Sequence, residues 1–415
     1  MKNLIPALVI TAAILAATAT GGVSQAQENA PNNWPMFRGN SRRTGTLDGT
    51  PVAPGPVDAV WAVRDTEVNV GDVSPSPAVV GDRLFIGGSF ASVFFRGGTI
   101  YCISAKTGKI IWRFNTSQQL FSSPAVVEGR VYCGEGLHSD GNSQLYCLDA
   151  TSGTQLWAFQ TKSHVESSPA VVDGRVYFGA GDDGVYCVTA DKGEAVWHFE
   201  GVHVDVAPAV DERHVYFGTG YGVQGIYCVN RNTGKKVWSL ETPHGAWGTP
   251  TVDGGDLFYA IGNGNFYESS DTPFGRVICC DAANGEERWH HDVGDAVLSA
   301  IAVVDNRVYF GCRDKNVYCL NRATGKPVWK RETGGPVVSS PAVAAAMVYI
   351  GSDDGCLHAI DAVTGEVDWT YDTTKVAGQG ARIWGSPALV GGRLYFGSTL
   401  SYIFCLGHPP KQPSS

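Results

Sequence analysis

The sequence is short of positive charge. Its 31 Lys and Arg are outnumbered by 40 Asp and Glu, for a net charge of −9, so it has no electrostatic footprint for nucleic acid or an anionic membrane surface. Long apolar runs are missing too. The one continuous run, from Leu4 to about Thr18, is shorter than the roughly 20 residues a membrane-spanning helix needs. With Lys2 before it and Ser24-Gln25-Ala26 after it, the run has the charged, apolar and small-residue regions of a secretory signal peptide, expected over 1–26. No cysteine stands near that cleavage site, the first being Cys102, so an N-terminal lipid anchor is not supported. No nucleophile, base and acid follow one another in an order that indicates a hydrolase. The expectation is a protein exported to the periplasm or beyond it, soluble and not a lipoprotein.

Cysteine is not scarce, with 11 in the chain, yet the pattern argues against disulfides. Cys102, Cys147, Cys187, Cys228, Cys279, Cys319 and Cys405 each follow Tyr, Ile or Phe at the same place in successive repeats. Equivalent positions in neighbouring repeats lie beyond the ~4.4–6.8 Å Cα separation of a disulfide. They read as small buried residues filling tight gaps. Whether Cys133, Cys280, Cys312 or Cys356 pair is left open.

What the chain has in abundance is glycine (52) and aromatic residues (44), a composition suited to short strands and tight turns. A Gly followed four residues later by Trp recurs at Gly108/Trp112, Gly153/Trp157, Gly193/Trp197, Gly234/Trp238, Gly285/Trp289, Gly325/Trp329 and Gly365/Trp369. The Trp-to-Trp intervals are 45, 40, 41, 51, 40 and 40 residues, a period that marks a propeller or another repeat array. Ser-Pro-Ala or a variant recurs with the same period in eight copies, from Ser76-Pro77-Ala78 to Ser386-Pro387-Ala388. Each unit reads as four short antiparallel strands, a to d, which make one propeller blade. The eighth unit ends after three strands, while an orphan strand around Trp61 has no unit of its own. The expected fold is all-β: an eight-bladed β-propeller over 57–407 whose last blade is closed by the strand around Trp61, leaving no open edge. Residues 27–56 are expected to dock on it as an extension, and 408–415 to form a flexible tail. A monomer is expected.

In such a meander the a–b and c–d turns share one face, and the b–c loops and d–a connections share the other. The sizeable length changes fall on the second face, at 88–98, 134–143, 262–275 and 370–383, which marks it as the binding face. Phe90, Phe94 and Phe95 in the first loop and Phe266 and Tyr267 in the third are candidate partner-binding residues. Three residues before each Pro or its equivalent, Ser74, Phe121, Glu166, Asp205, Trp247, Leu298, Val338 and Trp384 should ring the channel mouth. His164-Val165-Glu166 and His203-Val204-Asp205 place a His and a carboxylate on one side of an extended chain, and His244 and Trp247 follow. These are candidate ligands for a metal or a small polar molecule. The competing reading is that they hydrogen-bond neighbouring loops. Gly179-Ala180-Gly181-Asp182-Asp183-Gly184 fits the dinucleotide fingerprint but links two strands instead of opening a helix, which excludes that site.

Laid out in this way, the chain resembles the pyrroloquinoline quinone (PQQ) repeat superfamily of eight-bladed propellers over about 34–406. The c–d segments match its tryptophan-docking motif, as in Asp361-Ala362-Val363-Thr364-Gly365-Glu366-Val367-Asp368-Trp369. The opening Trp34-Pro35-Met36-Phe37-Arg38-Gly39, with Arg43-Thr44-Gly45 after it, is similar to the start of exported bacterial PQQ-like repeat proteins. The superfamily holds quinoprotein dehydrogenases and cofactor-free BamB-like members. The dehydrogenase branch implies PQQ and Ca²⁺ on the axis, with Trp247 and Trp384 stacking on the quinone and Arg382 and Lys375 near its carboxylates. The other reading of these Trp residues is a channel plug. That branch also has a vicinal disulfide, but Cys279-Cys280 lies within a strand where successive side chains point to opposite faces. The haem signature Cys-x-x-Cys-His is absent, and neither PQQ nor Ca²⁺ is indicated. The resemblance implies a non-enzymatic BamB-like scaffold for a protein or envelope partner, with a PQQ-dependent dehydrogenase as the alternative.

Overall fold

Each Gly-x-x-x-Trp segment forms the c–d turn and outer strand of one blade. The computed structural model describes residues 33–46, 57–66, 71–91, 96–138 and 140–408. The leader expected over 1–26, and Phe94 and Phe95, lie outside them. In blade three, Ala170–Val172, Arg175–Gly179, Val185–Thr189 and Ala195–Phe199 run a to d as one antiparallel sheet. Eight such sheets form the ring, and their a strands touch in order all the way round, Ala388–Val390 of blade eight meeting Ala78–Val80 of blade one. Blade eight takes its d strand from Asp58–Arg64, which pairs with Tyr402–Gly407 and sets Trp61 opposite Cys405. The architecture and its closure are those expected. Among the described residues the one helix is Thr374–Ala377, and none is long and apolar enough to cross a membrane.

The sequence repeats because one contact repeats. Trp157 of blade two lies on the c–d turn of blade three, its indole N–H donating to Ala190 O at 3.2 Å. A Cβ on Gly193 in that turn would come within 2.6 Å of the ring, and Gly193 has φ +71°, so only glycine fits without penalty. Within a blade the Trp stands opposite the repeat Cys, as Trp157 does Cys147 and Trp289 does Cys279, so a small residue faces the large one. All eleven cysteines are free, and burial pushes the Cys147 and Cys279 thiols up to about 12. Cys279 and Cys280 sit on one strand with no bond between them. Trp369 is the exception among the Trp series. Blade eight has no c–d turn, since Tyr402–Gly407 and Asp58–Arg64 come from opposite ends of the chain, and Trp369 buries an indole N–H without a partner.

The inner edge of each a strand presents amides to the axis, and these need partners. Residues 33–46 supply them in six of the eight blades. Asn33–Trp34 pairs with Ala78–Val80. The carbonyls of Pro35, Ser41, Arg42, Thr44 and Gly45 then accept from the amides of Val126, Val210, Val252, Val303 and Val343, at 2.6–3.1 Å. The segment therefore runs round the inside of the ring from blade one to blade seven. It lies at the turn face, where Asn40 and Arg42 line open grooves with Asp305, Asn306 and Glu212 of the a–b turns. Two buried arginines complete this plug. Arg43 donates to Phe37 O at 2.7 Å, Ser168 O at 2.9 Å and Pro208 O at 3.0 Å. Arg38 donates to Pro341 O, while its Nε and Nη2 have no partner. Burial, and then the Arg43 charge, bring the Arg38 pKa down to about 9.

Urea unfolding tests both devices. Trp157→Ala should cost about 3–5 kcal/mol. Trp157→Phe should cost about 1 kcal/mol more than Trp369→Phe, because only Trp157 gives up a hydrogen bond. Arg43→Met strands buried carbonyls, each worth about 1–3 kcal/mol, whereas Arg38→Met removes a buried charge with unpaired N–H groups and should be the milder change. Equal losses within either pair would contradict this account of the packing.

Candidate functional site at the channel mouth

Two backbone rungs set the polar half of the site. Val165 N donates to Glu135 O at 2.9 Å, and Val204 and Gly181 exchange bonds of 3.0 and 3.1 Å. On such extended segments the residues flanking each Val face the same way, and here His164, His203 and Asp205 meet at the mouth. A fourth residue joins them, His138 from the 134–143 loop of blade two. Three imidazole Nε2 atoms converge on the Asp205 carboxylate: His164 at 2.8 Å, His203 at 2.9 Å and His138 at 3.3 Å. Each Nδ1 is turned to a partner outside the cluster, His138 to the carboxylate Glu166 Oε1 at 2.9 Å, His203 to the carboxylate Asp182 Oδ1 at 2.6 Å and His164 to the hydroxyl Ser163 Oγ at 3.2 Å. Tyr221 stands edge-on to His138 and His203, with ring centres 5.0 and 4.9 Å away.

The electrostatics follow from these contacts. Burial alone would lower the His203 pKa, but hydrogen bonds and charge attraction from Asp205, helped by Asp182, raise it to about 9. The bond to Glu166 raises His138 against the effect of its burial. Asp205 moves the other way: burial would raise it, yet its bonds to His164 and His203 hold it well below the usual carboxylate range. His138 carries no periodic signal, and only its place in an insertion points to it. His244 does not join the cluster. His164 and His203 stand five residues before their Pro and His244 six, one step out of phase on an extended chain. Its ring packs on Phe274 at 4.9 Å instead.

The other half of the mouth is aromatic. Trp247 and Trp384 pack against one small cluster of Ala296, Leu298 and Val338. The 262–275 loop of blade five lies over it, with Tyr267 5.3 Å and Phe266 6.3 Å from Trp384. That loop is tied down at several points. Buried Arg313 donates to Phe266 O at 2.8 Å, Ser269 to Asp295, and the Asn265 side chain accepts from the Tyr267 and Glu268 amides at 2.8 and 2.9 Å. Trp384 Nε1 donates to Asp353 at 2.7 Å, and Arg382, 5.9 Å over the Trp384 ring, is 3.6 Å from the same carboxylate. Burial raises the Asp353 pKa in spite of both. Tyr221 joins the two halves, since it also stands edge-on to Trp247 at 4.9 Å. Lys375 is exposed on Thr374–Ala377, and Phe90 is half-buried, its ring against Gly97.

This propeller has known counterparts. A family model described as outer membrane protein assembly factor BamB matches residues 57–137, 134–223, 201–272 and 273–404. No curated protein matches the chain in sequence. Among solved structures, BamB from Moraxella catarrhalis superposes with a TM-score of 0.65 at 17% identity, over 87% of this chain and 100% of that one. Quinohemoprotein alcohol dehydrogenase from Comamonas testosteroni gives 0.71 at 15%, over 95% and 85% of the two chains. A europium-containing methanol dehydrogenase gives 0.67 at 15%, over 92% and 99%. At such identities the structural likeness establishes the fold alone, and it extends to proteins of both kinds. The family match covers nearly the whole ring, and the chain belongs to the BamB-type family of PQQ-like repeat propellers.

Proposed function

We propose that the protein is an exported, non-enzymatic propeller that holds a protein partner of the cell envelope on its loop face, through the aromatic half of the channel mouth. One observation supports this most directly. Among the described residues the exposed large aromatics are Tyr221, Phe266 and Tyr267, and all three stand on the loop face beside Trp247 and Trp384. The remaining exposed apolar residues are mainly aliphatic ones such as Ile111, Leu156, Val196 and Val328, spread singly over the outer strands of different blades, an arrangement that is ordinary for a surface. Clustered Tyr, Trp and Phe on a pre-organised loop are the usual anchors of protein interfaces.

The dehydrogenase reading has less support. Ca²⁺ takes about six to eight oxygen ligands, whereas the gathered donors are three imidazoles and one carboxylate. Arg382 is committed to Asp353, and the Trp384 ring is engaged by Phe266, Tyr267 and Arg382. The residues at the mouth do not fit PQQ with its Ca²⁺.

A photo-crosslinker placed at Tyr267 should give one discrete protein adduct in cells, lost on Trp384→Ala, while the same group at Leu156 gives none. No adduct from position 267, or the same adducts from both positions, would remove the interface. PQQ added with Ca²⁺ should leave tryptophan fluorescence unchanged, and saturable quenching would restore the dehydrogenase.

A further inference from the structure

The polar half of the mouth is more elaborate than a partner-binding surface requires. Two buried imidazoles, His164 and His203, the exposed imidazole of His138 and a half-buried carboxylate offer one donor atom each within 4.8 Å of one another. They come from three separate segments of chain, the blade-two loop and the connections before blades three and four. We propose that His138, His164, His203 and Asp205 bind a divalent transition-metal ion of the Zn²⁺ class at the channel mouth.

Three observations support the assignment. The donor set suits the ion: three imidazole nitrogens and one carboxylate oxygen match a borderline-soft four-coordinate metal, and such a set is poor for Ca²⁺ or Mg²⁺. The spacing suits it as well. A tetrahedral site with bonds of about 2.0–2.1 Å separates its ligand atoms by roughly 3.3 Å; the Nε2 atoms here stand 2.8–3.3 Å from one or other Asp205 oxygen, and all four donors lie within 4.8 Å of one another, so binding draws the widest pairs inward. Most telling is the outer layer. In protein metal sites the second nitrogen of a ligating His is held by an outside acceptor that fixes the ring and its tautomer. Glu166, Asp182 and Ser163 stand in that position for the three rings.

The surrounding chain is shaped around the rings. A Cβ on Gly181 would lie 2.5 Å from the His164 imidazole, and one on Gly136 would lie 2.9 Å from the His164 Cβ. The Gly-Asp-Asp of 181–183 thus serves the cluster: Gly181 leaves room for His164, Asp182 holds His203, and Asp183 accepts from the Lys162 amide at 2.9 Å beside it. Glu135 accepts from the Ser117 and Gln118 amides at 3.0 and 3.1 Å, anchoring the loop that delivers His138. Without a metal, three rings crowd N–H groups toward one carboxylate. A dication replaces that crowd with a single central charge. Four protein donors fill a tetrahedral site, so the ion acts as a structural tie across blades two to four.

The inference is independent of the partner-binding reading, because its test uses the isolated chain. Untagged protein stripped of metal should bind one equivalent of Zn²⁺ by calorimetry, and Co²⁺ in its place should give the visible bands of a four-coordinate nitrogen and oxygen site. His164→Gln combined with His203→Gln should abolish binding, Asp182→Asn should weaken it about tenfold, and His244→Gln should leave it unchanged. Folded native protein that takes up no Zn²⁺, or gives only six-coordinate Co²⁺ bands, overturns the assignment. So does a double variant that binds as the native chain does. If the double variant does not fold, the Co²⁺ spectrum of the native chain and the Asp182→Asn affinity decide the matter.

Discussion

The contact of each outer-strand Trp with the next blade's c–d turn is the interaction on which the rest of the structure depends. A four-stranded blade alone has two open edges and apolar faces that it can bury only against its neighbours. Docking changes that, because seven indole N–H groups reach a carbonyl of the following blade at 2.7–3.2 Å. Every such contact is made on the turn face, beside a glycine that cannot carry a side chain. Those turns therefore cannot vary in length. The loops of the opposite face make no such contact and are free to grow, so the division into a constant and a variable face follows from where the Trp lands.

This explains how much of the molecule was legible in the sequence. An interaction made once per blade leaves a periodic trace, and Trp61 without its own turn was enough to place the closing strand. The plug left no such trace. Residues 33–46 hold the ring mainly through backbone carbonyls and two arginines that bind other carbonyls, and carbonyls are not encoded in side-chain identity. The site was half legible for the same reason. His164, His203 and Asp205 sit at fixed phase relative to a repeating Pro, so their convergence followed from the repeat. His138 arrives on an insertion whose path the repeat does not specify, and His244 is displaced by a single residue.

A second periodic tie shows how the two halves of the mouth are related. The backbone amides of Ser386, Ser76 and Ser123 each donate to the Ser Oγ of the next blade, to Ser76, Ser123 and Ser168 at 2.8–2.9 Å. Ala300 and Ser340 continue the ladder to Ser340 and Ser386 at 2.9 and 3.1 Å. It is missing from blade three to blade six: blade four offers Ala207 and blade six Ala300, which have no hydroxyl to accept, and among the described residues Ala207 makes no such bond to Thr249 of blade five. The irregular residues of the mouth cluster along that stretch. Between blades three and four, His164 reaches Asp205 at 2.8 Å, two residues before Ala207. Between blades five and six, Trp247 and Leu298 pack in one apolar cluster.

A propeller loses stability if a blade-to-blade tie is simply deleted, since each blade is held by its neighbours. Here a polar contact joins blades three and four, Tyr221 meets Trp247 between blades four and five, and an apolar contact joins blades five and six, so the ring stays joined while eightfold regularity is given up. The same side chains then serve the ring and line its mouth, His164 fully buried and Asp205 and Trp247 partly exposed. Stabilising role and binding role are thus not rival readings of His164, Asp205 or Trp247. Closing the ring without the serine ladder requires unlike residues to converge, and unlike residues converging at a channel mouth are what a binding site consists of.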